Sequence, residues 1–374
     1  MLAASGPPAI VYVLWDAGER GDHRWSLSAG AEVLLRTPDL GLAVAHLLWT
    51  LNRQAVACSP HDVRVHAAAT EHDGAAVLLP GAPGAGKTTL AAGLVARGLR
   101  YLGDEVAAID PSTLCVRAFP KPLTVKMGSQ PLLAHLEPPR AVVQLMPGAW
   151  HVDPRRIRHD AVGSAAPARW VIAPEYHRGA ATELVPITAG EAVVLLARHA
   201  FDLPNLGCHG LAALAAVATG SSCHRLVMGD LDSACNLVQD LLDRPHRPTP
   251  HRPACGRGPS PLSADNGARG PVTAKACDAR VMDVSFRPAR ASAVATVQVD
   301  GEAVLLDEAT ATLHLLEPLA ATVWGLFDGE TTITELAAEL AAAFGERPGV
   351  IGADLVAFTT DLAGRGLLQA PVEP

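Results

Sequence analysis

Residues Gly81-Ala-Pro-Gly-Ala-Gly86-Lys87-Thr88 match the pattern Gly-x-x-x-x-Gly-Lys-(Ser/Thr), set between the apolar run AAVLL (75–79) and a stretch of helical character. The chemistry this pattern serves is the holding of a nucleoside triphosphate. Gly81, Gly84, Ala85 and Gly86 let backbone N–H groups turn inward around a phosphate, and the start of a helix adds partial positive charge. Lys87 is placed to reach the β/γ oxygens, and Thr88, with Thr89 beside it, to ligate Mg²⁺ or phosphate. A glycine-rich turn with no ligand would need neither the lysine nor the hydroxyl.

Three more side chains stand at intervals that could complete phosphoryl transfer. Sixteen residues beyond Thr88, Tyr101-Leu-Gly-Asp104-Glu105 puts two carboxylates where a strand following the helix should end. Neighbours on a regular strand point to opposite faces, but at a strand end one carboxylate can meet Mg²⁺ while the other meets an incoming hydroxyl. Glu105 is the candidate metal ligand beside Thr88, and which of the two takes the hydroxyl proton is open. Upstream, His66 precedes Gly81 by fifteen residues; a lone histidine serves structure more often than chemistry.

At these places the chain resembles the HPr serine kinase/phosphorylase family and its shorter kinase relatives. The likeness runs through VHAAATEHDGAAVLLPGAPGAGKTTLAAGLVARGLRYLGDEVAAID, with support from FPKPLTVK (119–126), a basic, proline-containing segment. It implies ATP and Mg²⁺ as cofactors, Lys87 and Thr88 on phosphate and metal, and His66, Asp104 and Glu105 as an acid–base cluster. It also implies serine as the acceptor, since the relatives are serine kinases and some act on lasso-type peptides. Ring-shaped assemblies in the family make a homo-oligomer an expectation. The family carries aspartate where this chain has Glu105, and its distal signature for phosphorylase activity is not found here. These departures bear on the reverse reaction and on HPr as substrate, and leave phosphoryl transfer intact. Lys121, Lys126, Arg155 and Arg156 are candidate additional cations.

The elements that must hold these residues read as α/β. A helix should run from Gly86 to a stop at Gly98, with strands at 100–102 and 106–109. Thr188-x-x-Glu191 is a capping box opening a helix to about Phe201, and Asp230 can cap another through Leu242.

The chain has 374 residues, of which 49% are hydrophobic and 18% charged, enough for two folded domains. Residues 244–271 contain seven prolines and four glycines, a composition that cannot bury enough surface to offset the entropy of ordering it. That places an HPr kinase-like domain over 1–243, a linker over 244–277 and a second domain over 278–374.

The second domain reads as three short strands (TVQVD, AVLLD, ATLHL) with a turn at Gly301, then three helices. Thr332-x-x-Glu335 is a second capping box; Ile333, Leu336, Leu340 and Phe344 share one helical face, as do Ile351, Leu355, Phe358 and Leu362. This is a small α+β, winged-helix-like design. Yet residues 281–374 hold 4 basic and 14 acidic side chains (net −10), against 26 and 24 (net +2) before them. Such a charge does not suit DNA or an anionic membrane. The segment instead resembles the PqqD family of peptide-recognition modules (RRE domains), through VLLDEATATLHLLEPLAATVWGLFDGETTITELAAELAAAF and DLVAFTTDLAGRGLLQ. That likeness implies a leader peptide as partner, added as a strand to a sheet edge.

Together the modules lead to the expectation of an ATP-dependent kinase that phosphorylates a hydroxyl, serine for preference, on a ribosomally synthesised precursor peptide. The alternatives are a small-molecule or HPr-directed kinase with a regulatory C-terminal domain, and a nucleotide-gated peptide chaperone without transfer activity. The N-terminus has no basic segment before its apolar stretch, and the seven cysteines form no CxxC pair, so a cytoplasmic protein with reduced thiols is expected. Zinc at Cys208-His209 and Cys223-His224 is set aside on spacing.

Overall fold

A computed structural model of the chain describes residues 10–16, 18, 24–57, 61–138, 148–244, 255–257 and 283–369. In chain order, β1 (Tyr12–Asp16), β2 (Trp25–Ala29) and β3 (Glu32–Thr37) form an antiparallel sheet backed by α1 (Leu40–Ala57). Next come β4 (Val63–Val65), β5 (Ala67–His72), β6 (Ala75–Pro80), α2 (Lys87–Ala96), β7 (Arg100–Gly103), β8 (Ala107–Ile109) and β9 (Cys115–Arg117). A two-stranded ribbon, β10 (Leu123–Lys126) with β11 (Ala149–Val152), is followed by β12 (Ala166–Tyr176) and β13 (Glu183–Pro186). Then α3 (Ala189–Arg198), α4 (Leu203–Thr219), β14 (Ser222–Met228) and α5 (Leu231–Leu242) complete the first two thirds. The remainder holds β15 (Cys255–Arg257), β16 (Val294–Val299), β17 (Glu302–Asp307), β18 (Thr312–Leu316), α6 (Pro318–Gly325), α7 (Ile333–Phe344) and α8 (Pro348–Gly364).

The chain divides into two compact units, 1–185 with 225–245 and 186–224 with 246–374. In the first, a mixed sheet runs β4-β8-β9-β12-β6-β5-β7, with β14 beside β12. Its centre reads as a continuous apolar run because it is covered on both faces: Val77, Leu78 and Leu79 are all fully buried. Leu90, Ala91 and Leu94 of α2 and Ala234, Cys235 and Val238 of α5 close one core on it. Tyr101, Leu123, Val125 and Val152 join α2 in another, which fixes the β10–β11 ribbon beside the helix.

The expected strand and helix around the glycine-rich loop are β6 and α2. Gly86 caps α2 at φ 98°, and Gly98 sits beyond its end at φ 119°, both in the left-handed region that glycine enters without steric cost. Thr188 and Glu191 form the reciprocal capping box at α3, and the Asp230 side chain accepts from Ser233 N–H at the start of α5. The α3 helix ends at Arg198, short of the expected Phe201.

In the second unit the antiparallel sheet β15-β16-β17-β18 turns at Asp300-Gly301, both at positive φ. One face carries Ala303, Leu305 and Leu316 against Trp324, Ile333, Leu336, Leu355 and Leu362 of the three helices and Phe327 between α6 and α7. The buried Trp324 indole donates to Thr296 Oγ1 at 3.3 Å, so the largest core side chain leaves no buried donor unmet. The opposite face is buried too: Val304 and Leu306 are at most 1% exposed, and α3 and α4 pack across β16, β17 and β18. Residues 186–224, drawn by sequence into the kinase-like domain, thus group with the C-terminal sheet. Most of the expected linker, 245–254 and 258–282, lies outside the described residues. Within its span Cys255–Arg257 form β15, which pairs antiparallel with β16.

Candidate active site

The loop after β6 delivers Lys87 and Thr88 as the first residues of α2, while β5 and β7, hydrogen-bonded neighbours, bring His66 and Asp104-Glu105 to the same end of the sheet. Close local topology therefore gathers these five sequence-expected residues. They line a cavity of about 470 Å³ together with Gly84, Gly86, Thr89, Lys126, Ser129 and Tyr176. A more open cavity of about 600 Å³, at Glu71, His72, Arg100 and Arg158, contains none of them.

Lys87 is 7% exposed, and its ammonium donates to Gly81 O at 2.7 Å and Ala82 O at 3.0 Å and lies 3.1 Å from His66 Nε2. Burial lowers its pKa, an effect the nearby Asp104 charge opposes. Thr88 Oγ1 donates to Asp104 Oδ2 at 3.0 Å. The other carboxylate oxygen, Asp104 Oδ1, is buried with no hydrogen-bond partner among the described residues. A residue 2% exposed with an unmet carboxylate oxygen is costly to leave so. Burial raises the Asp104 pKa, while the Lys121 charge and the Thr88 hydroxyl pull it down.

Glu105 goes elsewhere. Its carboxylate meets Lys121 Nζ at 3.0 Å, with side-chain exposures of 45% and 12%. Its backbone has φ 81°, a left-handed conformation that costs a non-glycine residue about 1–3 kcal/mol and gathers at functional sites. Thr88 is hydrogen-bonded to Asp104, while Glu105, named from sequence as metal ligand beside Thr88, faces Lys121. The strand end bends at Asp104, so the first carboxylate turns inward under α2 and the second outward. A hydroxyl and a buried carboxylate with an unmet oxygen form a hard oxygen donor set that fits a divalent cation such as Mg²⁺.

Among the other candidates, Thr89 donates its hydroxyl to Ser129 Oγ at 2.6 Å, and both line the cavity. Lys126 lines the cavity. Arg155 pairs with Asp153, and Arg156 donates to the Glu137 carbonyl, neither reaching the site. His151 was not singled out from sequence. It stands opposite Thr124 in the β10–β11 ribbon, and burial and the Lys121 charge lower its pKa while Glu105 opposes them. No motif or spacing in the sequence points to it.

Comparison with known proteins agrees with the C-terminal reading. Residues 302–368 match the family model "Coenzyme PQQ synthesis protein D (PqqD)", and this part of the chain is a PqqD domain. The solved structures that resemble the chain include the following two. One is TbiB1 in complex with the TbiA(beta) leader peptide, 25% identical over 22% of this chain and 98% of that one, TM-score 0.21. The other is the Hpr(Ser) kinase/phosphatase from Coxiella burnetii, 12% identical over 48% of this chain and 95% of that one, TM-score 0.23. No curated protein matches the chain. Among the described residues, no helix is long and apolar enough to cross a membrane.

Proposed function

We propose that the protein is an ATP- and Mg²⁺-dependent kinase that phosphorylates a hydroxyl, serine for preference, of a ribosomally synthesised precursor peptide recruited by its PqqD domain. The observation that carries the phosphotransferase reading is the Thr88–Asp104 pair with its unmet, buried carboxylate oxygen, directly beside Lys87. The PqqD match over 302–368 supports a peptide as partner.

In this reading the glycine-rich loop and Lys87 bind the triphosphate, and Thr88 with Asp104 would hold Mg²⁺, whose charge would offset that of the phosphate oxygens. Glu105, the more exposed carboxylate, faces the acceptor. Its oxygen takes the proton of the peptide hydroxyl as the new O–P bond forms and the bond from the γ-phosphorus to the β–γ bridging oxygen breaks, releasing ADP. Lys121 stands beside Glu105, where a fixed cation stabilises charge on the transferred group. Tethering the leader raises the local acceptor concentration to ~mM without any further contact at the site.

The test is incubation of the full chain with ATP, Mg²⁺ and the precursor peptide encoded beside it. The expected result is a peptide gain of about 80 Da, one phosphoryl group. A peptide that binds tightly yet never gains that mass would remove the kinase reading.

A further inference from the structure

The imidazole of His66 bridges the two halves of the site. Its Nδ1 lies 2.9 Å from the carbonyl oxygen of Glu105, and a carbonyl only accepts, so Nδ1 carries the hydrogen. Its Nε2 lies 3.1 Å from the Lys87 ammonium, which only donates, so Nε2 offers its lone pair. The ring is therefore neutral, in one tautomer, with both nitrogens committed to protein groups. That is not the arrangement of a base waiting for a substrate proton.

The two partners are the residues on which transfer depends. The three protons of Lys87 are met by Gly81 O, Ala82 O and His66 Nε2, so a phosphate can engage this ammonium only by displacing one of them. The two carbonyls belong to the loop that wraps the phosphate, which makes the imidazole the partner that can be given up without unwinding the loop. On the other side, the carbonyl held by Nδ1–H belongs to the residue whose backbone stands at φ 81° and whose carboxylate is aimed at Lys121.

We propose that His66 is a positioning residue that couples nucleotide occupancy at Lys87 to the orientation of Glu105. The inference rests on the reading of Lys87 as the phosphate-binding lysine and Glu105 as the acceptor-side carboxylate. With the loop empty, Lys87 anchors the ring through Nε2, and the ring in turn holds the Glu105 carbonyl. When phosphate draws Lys87 away, Nε2 loses its donor and the ring can follow Glu105 toward the incoming hydroxyl. The acceptor side thus matures only after nucleotide binds.

Nitrogen-15 spectra of the histidine rings of the full chain test this, with the His66 signals assigned by their absence in His66→Gln. The free protein should show a protonated Nδ1 and an Nε2 lone pair in a hydrogen bond. A non-transferring ATP analogue with Mg²⁺ should shift Nε2 and leave Nδ1 protonated. Lys87→Met should show the shifted Nε2 from the outset and no response to the analogue. His66→Ala should bind the analogue at least as well as the parent, with kcat lowered by about 10²-fold through loss of alignment and the peptide KM unchanged. An Nε2 signal that does not move while calorimetry shows the analogue bound, or a free protein protonated at Nε2, overturns the coupling. A shifted Nε2 without any phosphoryl transfer leaves the coupling standing and removes the kinase reading. Absence of analogue binding overturns both.

Discussion

The hydroxyl of Thr88 and the carboxylate of Asp104 meet at 3.0 Å across sixteen residues of chain, and the oxygen of Asp104 that Thr88 does not use is buried without a hydrogen-bond partner among the described residues. Asp104→Asn keeps an acceptor for Thr88 and the same volume, but removes the charge that would hold a cation. Phosphoryl transfer should fall by at least about 10²-fold and lose its dependence on Mg²⁺ concentration. The melting temperature of the free protein should not drop, because burial already disfavours the charged carboxylate. A full-rate variant with an unchanged Mg²⁺ titration would show that Asp104 is only a structural acid.

Glu105 and Lys121 form a second pair, at the open side of the cavity. Glu105→Gln keeps the shape and removes the base, so transfer to peptide should fall about 10²- to 10⁴-fold while nucleotide affinity, set by the loop and Lys87, stays as it was. Lys121→Met should also lower transfer and spare nucleotide binding. Isothermal titration with nucleotide, run beside the mass assay, separates the two effects; equal losses in both would place the pair on the nucleotide instead.

The readable part of this site was its local part. His66, the loop, Asp104 and Glu105 lie at the ends of consecutive elements β5, β6, α2 and β7, so spacing along the chain fixes spacing in space. What spacing could not settle was which carboxylate turned inward, because that depends on a bend at the strand end. Lys121 was legible only as a candidate cation, since it stands before β10 outside any strand or helix, and His151, inside β11, not at all. Capping boxes at Thr188 and Thr332 were legible because their chemistry is complete within four residues. The sheet that α3 covers was not, because an apolar helical stripe reads the same whichever sheet buries it.

One residue does carry a trace of that packing. A Cβ at Gly190 would come within 2.7 Å of Leu315 Cδ1 and overlap the Glu302 carboxylate, which accepts from Gly190 N–H at 3.0 Å at the N-terminus of α3. Gly190→Ala should destabilise the second unit modestly, because the ends of the Glu302 and Leu315 side chains must swing aside and Gly190 N–H loses its acceptor. Amide hydrogen exchange in α3 and β17 should quicken accordingly. Adding Glu302→Ala removes one of the clashing groups, so the double variant should lose less than the sum of the two singles. Strict additivity would mean that α3 does not rest on this hairpin.

His314 on β18 supplies a pH test of the same unit. Burial lowers its pKa, and Arg365 lowers it further, while Asp307 and Asp361 oppose the shift. Because the folded value lies below that of the unfolded chain, near 6.5, the unfolded state binds more protons in the window between them. Stability should therefore be greatest above about pH 6.5 and fall as pH drops through that window toward the folded value, below which the loss levels off. The ring is partly exposed, so solvent and salt screen the effect and its size should be small. His314→Asn, which cannot titrate, should flatten this limb of the denaturation-midpoint profile in urea and leave the remainder in place. An unchanged acidic slope in that variant would assign the pH response to other groups of the unit.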